Sequence, residues 1–279
     1  MAREIYMRSH NYGLKLSPPE PDEWTLGSGL ASKRFGAVPL NPTGDWEPWK
    51  PADEHQSIPG FDTQGCANFG TLKAYITLAK FLGFEFPPDA SERYTGAHAG
   101  TDERGTDPHL VAESMRKVGL IDQKLMPWTD DIDTFEEYYD KRMAQSLVPI
   151  GRKLAENYEL GHEWVIPFGS HYTPEQKQVR LQEALKRGPV CVSVDGSYRK
   201  KGKFYFKEPG TADTHWVEML KHDGVHGGIH DQYAPFLKTL ATNYDHDAAK
   251  VYFLKRKEPV GTGFWDRVFA RFASLWKSS

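Results

Sequence analysis

The chain contains only two cysteines, Cys66 and Cys191. Cys66 stands in "QGCANFGTLKAYITLAKFLG", directly behind Gly65 and at the head of a strongly apolar run. The thiolate, not the thiol, is the nucleophile, and the open N–H groups and dipole of a helix N-terminus favour the anion. Such a thiolate needs an imidazole to move protons and a polar group to orient that imidazole. Of the eleven histidines, His215 is the best placed, opening "THWVEML" after the loop "KEPGTAD". Asp231 follows in "IHDQYAPF". The turn residues "HDGVHGG" between them would fold two strands side by side and bring the pair together. A lone cysteine on an apolar helix is ordinarily a core residue, and Cys191 in "PVCVSV" reads that way. The ordered set Cys66, His215, Asp231 is what points to nucleophilic acyl chemistry.

Several elements must position these groups. Phe69, Leu72, Ile76 and Ala79 form one apolar stripe over residues 66 to 83, broadened by Tyr75, Leu78 and Leu82. This spacing predicts a central helix. Residues 105 to 120 predict a second, with Asp107 as N-cap, Pro108 in the first position and Gly119 at its end. "TFEEYYDKRMAQSLVPIGRKLAENY" predicts further helix, broken at Pro149, and residues 173 to 188 another, opening on Thr173, Pro174 and Glu175. Beyond that, "PVCVSVDG", "KFYFKEP", "THWVEMLKHDG", "GGIHDQY" and "KVYFLKR" are short strand-like runs separated by turn residues. Helices followed mainly by strands is an α+β order.

The expected organisation is an extended segment at 1–45, a helical lobe with the nucleophile at 46–145, and a β-rich lobe with the histidine and aspartate at 146–257. Trp24, Trp46 and Trp49 argue that the first segment docks on the body. An amphipathic helix at 258–279 is expected to close the chain, with Phe264, Val268, Phe269, Phe272 and Leu275 on one face and Arg267, Arg271 and Lys277 supplying charge. That helix suits docking on the protein's own body, and equally a membrane surface or a partner groove.

A formal net charge of −3 over 279 residues gives no basic surplus, and nucleic acid is not an expected partner. Two cysteines make no disulfide framework, and no apolar run resembles a signal peptide or a membrane span. The expected location is therefore cytoplasmic, or with a virion. His222, His226 and His230 recur every four residues, but the glycines between them predict a turn, and no metal is expected. The basic run Arg199, Lys200, Lys201 and Lys203 predicts a solvated hairpin loop.

Taken in order, these motifs resemble the papain-like cysteine peptidases, in a divergent bacterial and phage branch. "CANF" resembles the start of the family's central helix, and His215 lies 149 positions after Cys66, within the family's range of about 130–150. "LQEALKRGPVCVSVDG" resembles the entry to the second lobe, and "GGIHDQYAPF" with "KVYFLKR" resembles the strands that follow its histidine. "YGLKLSPPEPDEW" resembles a segment found ahead of the catalytic part in this branch.

The resemblance covers roughly residues 10 to 257 and implies a two-lobe α+β fold without cofactor. It implies Cys66 as nucleophile, His215 as base and Asp231 as orienting group. It also implies Gly105 and Thr106 as backbone that lines the cleft for a peptide or protein substrate, and Tyr233 as an aromatic shield over the His215–Asp231 pair.

Three positions depart from the family pattern. Asp231 replaces the usual asparagine, adding a charge that favours the imidazolium. Ala67 replaces a bulky residue after the cysteine. The oxyanion glutamine is displaced: Gln56 lies ten residues before Cys66 and Gln64 two before. Gln56 is the expected residue, with 57 to 65 as an inserted loop and Gln64 as its rival.

The expected activity is peptide-bond hydrolysis by a cysteine endopeptidase. Transglutaminase-like or cell-wall peptide acyl transfer uses the same triad, and an inactive homologue would be a binding module. The segment "LKLSPPEPDEW" is expected to lie along or near the cleft.

Overall fold

The computed structural model describes residues 12–257, apart from 22, 37–39 and 130. The amphipathic helix expected at 258–279 lies outside the described residues. A short helix α1 (Leu30–Phe35) precedes a two-stranded ribbon of β1 (Ser57–Ile58) and β2 (Phe61–Asp62). Helices α2 (Cys66–Leu82), α3 (Glu92–Ala99), α4 (Pro108–Val118), α5 (Phe135–Tyr138) and α6 (Lys141–Asn157) follow. Then come β3 (Tyr158–Ile166), α7 (Pro174–Leu185), β4 (Val190–Val194), β5 (Arg199–Lys201), β6 (Phe204–Phe206), β7 (His215–His222), β8 (Gly227–His230), β9 (Leu237–Leu240) and β10 (Ala249–Arg256).

The last eight strands form one sheet in the order β3-β10-β4-β7-β8-β9-β6-β5. Every pairing in it is antiparallel except β6 with β9. Helix α2 lies on this sheet against β7, β4 and β10. Its residues Cys66 to Ala79 are buried, as a helix apolar on all sides requires. Gly83 ends it in the left-handed region at φ 65, donating to the carbonyls of Ala79 and Lys80. A second, smaller core joins Phe61, Tyr94, Ile121, Met126, Tyr138 and Tyr139 in the helical part.

Local signals account for the helix starts. Asp107 caps α4 by accepting from His109 N, with Pro108 next, where no intrahelical donor is needed. Thr173 and Gln176 form a reciprocal capping box on α7. The described residues before Trp46 are docked, as Trp24 implies. Trp46 Nε1 donates to Leu185 O, and the backbone of Trp24 and Leu26 brackets Trp164 on β3.

The break expected at Pro149 is absent. The helix breaks instead at Asp140, whose carboxylate caps α6 by accepting from Arg142 N and Met143 N, and α6 continues through Pro149. Pro149 and Gln145, whose carbonyl it leaves unpaired, are exposed, so water meets the lost bond. Five strands, β1, β2, β3, β5 and β9, were not anticipated. Of these, β3 reads "YELGHEWVI", where the charged and glycine positions mask a strand buried by its neighbours.

An interior proline costs a helix about 3 kcal/mol, of which the restricted unfolded chain returns about 1. Pro149→Ala is therefore expected to stabilise the fold by about 1–2 kcal/mol, read as a raised urea midpoint. No gain would mean that α6 is broken at that residue.

Candidate active site

Cys66 is the first residue of α2 and is fully buried. Gly65 precedes it without a side-chain cap, leaving the first-turn N–H groups to other partners. Burial pushes the thiol well up; the backbone of Trp216 and Ala67 pulls it down, and Asp62 and Asp231 push it up again. Desolvation thus outweighs the helix terminus that the sequence suggested would activate this sulfur, and the closed structure holds a thiol.

The sheet brings the other two groups together next to Trp216, whose backbone meets the Cys66 sulfur. His215 opens β7, opposite Val194 of β4. The next residue, Trp216, packs so closely on α2 that a Cβ on Gly70 would lie 3.0 Å from its indole and from its carbonyl oxygen. The β7–β8 turn places Asp231 beside His215, and His215 Nε2 lies 2.9 Å from Asp231 Oδ1. Both side chains are buried. The other ring nitrogen, Nδ1, has no hydrogen-bond partner among the described residues.

Asp231 Oδ1 also accepts from the backbone N–H of Gln232 (2.6 Å) and Tyr233 (3.0 Å). Its Oδ2 accepts from Tyr198 OH (3.1 Å) and from Lys238 Nζ (2.7 Å). Burial would raise this carboxyl, but His215 and then Lys238 hold it well below the ordinary carboxylate range.

Gln56 and Gln64 are placed differently. The residues between Gln56 and Cys66 fold as the β1–β2 ribbon. Gln56 is buried, and its Nε2 donates to Tyr12 O and to Asp62 Oδ1, both at 3.1 Å. Gln64 sits in the left-handed region at φ 50, with its N–H on Asp62 Oδ1 and its Oε1 buried without a partner among the described residues. Tyr233 donates from its OH to Asp62 Oδ2, and its ring centroid is 5.4 Å from that of His215.

The N-terminal segment runs through this constellation. Tyr12 N donates to Thr214 O (3.2 Å), Thr106 N to Gly13 O (3.0 Å), and Lys15 N to Thr106 O (3.1 Å). Leu14 thereby pairs with Thr106 as a parallel bridge. The ring of Tyr12 lies 5.3 Å from His215 and 5.3 Å from Tyr233. Glycines make the approach feasible: a Cβ on Gly13 would fall 1.9 Å from Gln64 O, and one on Gly105 1.8 Å from Gly13 O. Candidate residues Gln56, Gly105 and Thr106 therefore meet the chain's own backbone.

Sequence reasoning missed Tyr12, Asp62, Tyr198 and Lys238. Only Lys238 carried a signal: in β9, "LKTL", it shares the buried face with Leu240 by the two-residue period of a strand.

Among the described residues, the carboxylates of Glu54, Asp89 and Glu92 stand close enough to share a cation. Burial raises all three, and the charge of Glu54 raises Glu92 further, which favours a shared proton. Among the described residues His222, His226 and His230 do not form a metal-binding group: His230 Nε2 lies 3.1 Å from Asp53, and His226 Nδ1 3.5 Å from Asp223. A cavity of about 310 Å³ lined by Glu23, His109, Glu113 and His162 contains none of the candidate residues. No helix among the described residues is long and apolar enough to cross a membrane.

No protein-family model and no curated protein matches the chain. Solved structures do resemble it. Xylellain, a cysteine protease from Xylella fastidiosa, superposes with a TM-score of 0.60 at 12% identity, covering 90% of this chain and 98% of the other. Digestive procathepsin L 3 of Tenebrio molitor larval midgut gives 0.53 at 14% identity, over 87% and 76%. The proform of the ragweed pollen cysteine protease Amb a 11 gives 0.50 at 14%, over 83% and 75%. At such identities the likeness establishes the fold: α+β and papain-like.

The close approach of Gly13 to Gln64 supplies a direct test of whether this segment shields Cys66. Gly13→Ala is expected to loosen it and raise the rate of Cys66 alkylation by iodoacetamide about tenfold or more, equivalent to about 1.4 kcal/mol of weakened docking. Cys191, buried with its Sγ on Gly70 O, serves as the unreactive control. An unchanged rate would mean the segment does not guard the thiol.

Proposed function

We propose that the chain is a cysteine endopeptidase, latent in the closed form because its own N-terminal segment occupies the site. The observation that carries this reading is the way the site holds main chain. Thr214 O accepts from a backbone N–H, Gln56 Nε2 donates to a backbone carbonyl, and Thr106 pairs with the segment from both its N–H and its carbonyl. Groups that grip extended backbone in this manner suit a peptide substrate.

In the reaction, His215 Nδ1 takes the proton of Cys66, and the sulfur attacks the carbonyl carbon. The Gln56 amide and the Cys66 N–H hold the oxyanion. His215 then gives its proton to the leaving amine and afterwards takes one from the water that releases the acid. Asp231 keeps the imidazole oriented through Nε2. The segment at Tyr12 to Lys15 engages the same groups, so it must move or be cut before a substrate carbonyl can enter.

The full burial of Cys66 favours one competing reading, an inactive binding module with this fold. Hydrolysis of denatured casein by the Gly13→Ala chain separates the two. Activity is expected, with loss of about 10²-fold or more in Gln56→Ala and of about 10²–10⁴-fold in His215→Ala, and none in Cys66→Ala. Casein left intact by the Gly13→Ala chain while Cys66 alkylates readily would establish the binding module instead. Transamidation of an added amine, with no hydrolysis, would move the assignment to acyl transfer.

A further inference from the structure

Asp231 differs from an asparagine by a full negative charge, and the structure places a cation against that charge. Lys238 lies on β9, opposite Ile229 of β8, two residues before the position of Asp231. The β8–β9 turn closes with Asp231 N donating to Phe236 O (2.7 Å), which fixes the aspartate relative to the lysine. Lys238 is buried. Its Nζ donates to Asp231 Oδ2 (2.7 Å) and to Tyr233 O (2.7 Å), and it faces the rings of Tyr198 at 5.4 Å and Tyr205 at 5.8 Å. The carboxylate is therefore shared, one oxygen on His215 and the other on Lys238.

We infer that Lys238 is a positioning residue of this site: its ammonium offsets the charge of Asp231, so that the aspartate orients His215 much as a neutral amide would. The inference rests on the reading of His215 as the base. Without the lysine, a lone buried carboxylate beside the ring would hold the imidazolium more tightly and weaken its proton donation to a leaving amine.

The other charged and titratable groups around the pair do not replace Lys238. Lys73 of α2 donates to the backbone carbonyl of Asp231, not to its carboxylate. Cys66 at the head of α2, Asp62 on β2, Asp195 after β4, and Glu218 of β7 are neutral or anionic. Tyr12, Tyr198, Tyr205 and Tyr233 are phenols, and burial raises Tyr12, Tyr198 and Tyr233. His230 of β8 is engaged with Asp53. Burial also disfavours the Lys238 ammonium, and Asp231 restores it in part, so each member of the pair sustains the other's charge.

The test is a four-cornered cycle on the full-length chain, read by NMR titration of the His215 ring signals. Lys238→Met is expected to raise the His215 midpoint by about one unit or more, since it removes a cation held on the same carboxylate as the ring. Asp231→Asn, which leaves the lysine uncompensated, is expected to lower it. The double variant Asp231→Asn/Lys238→Met is expected to return it to the wild-type midpoint.

A folded Lys238→Met chain with an unmoved midpoint would overturn the inference. If that variant does not fold, identical midpoints in Asp231→Asn and in the double variant would overturn it equally. Ring titration needs no turnover, so its outcome is separable from the peptidase reading. Absent casein hydrolysis with an intact cycle would sink only that reading, and hydrolysis with a flat cycle would sink only the role of Lys238.

Discussion

The contact between the first turn of α2 and the start of β7 is the constraint on which the rest depends. Gly70 leaves no room for a side chain because Trp216 fills that space. The same contact sets the backbone of Trp216 beside the sulfur of Cys66, one residue beyond His215. An added methyl group at Gly70 would have to displace backbone as well as indole, and close-packed interiors transmit such displacements. Helix and sheet thus carry one half of the site each, and their packing sets the relation between the halves.

The price of that arrangement is desolvation. Cys66, His215 and Asp231 are all buried, and a buried charge is tolerated only where partners meet it. Asp231 has five donors, two of them cationic or able to become so. Its carboxyl is held low, so the stability it contributes is present above about pH 4, the ordinary range of an unfolded aspartate, and is lost as pH falls toward its folded value. Cys66 has no comparable set, and burial keeps its proton on. The buried cluster therefore sets a carboxyl held low by its partners beside a thiol held high by desolvation.

The segment from Tyr12 to Lys15 adds to this burial. Its backbone satisfies the N–H and carbonyl groups of Thr106 and the carbonyl of Thr214, polar groups that burial would otherwise leave unpaired. Tyr12 shields His215 with its ring.

Much of the framework was legible in the sequence because it is written between near neighbours. The stripe of α2, Asp107 and Pro108 at α4, the Thr173–Gln176 box of α7 and the turn between β7 and β8 all depend on residues a few positions apart. The pairing of His215 with Asp231 was legible for the same reason, since one hairpin joins them. What the sequence did not contain was the burial of Cys66, the seating of Tyr12 against His215, and Lys238 on the far oxygen of Asp231. Nor did it show β3, whose polar residues are covered by distant parts of the chain. The sequence alone determined the helices and strands whose signals lie between near neighbours, and which residue types are present to react. Tertiary structure alone decided which of them are dry, which charges face each other and what packs on the ring of His215. Desolvation and Coulomb energy depend on distance in space, and separation along the chain does not specify that distance.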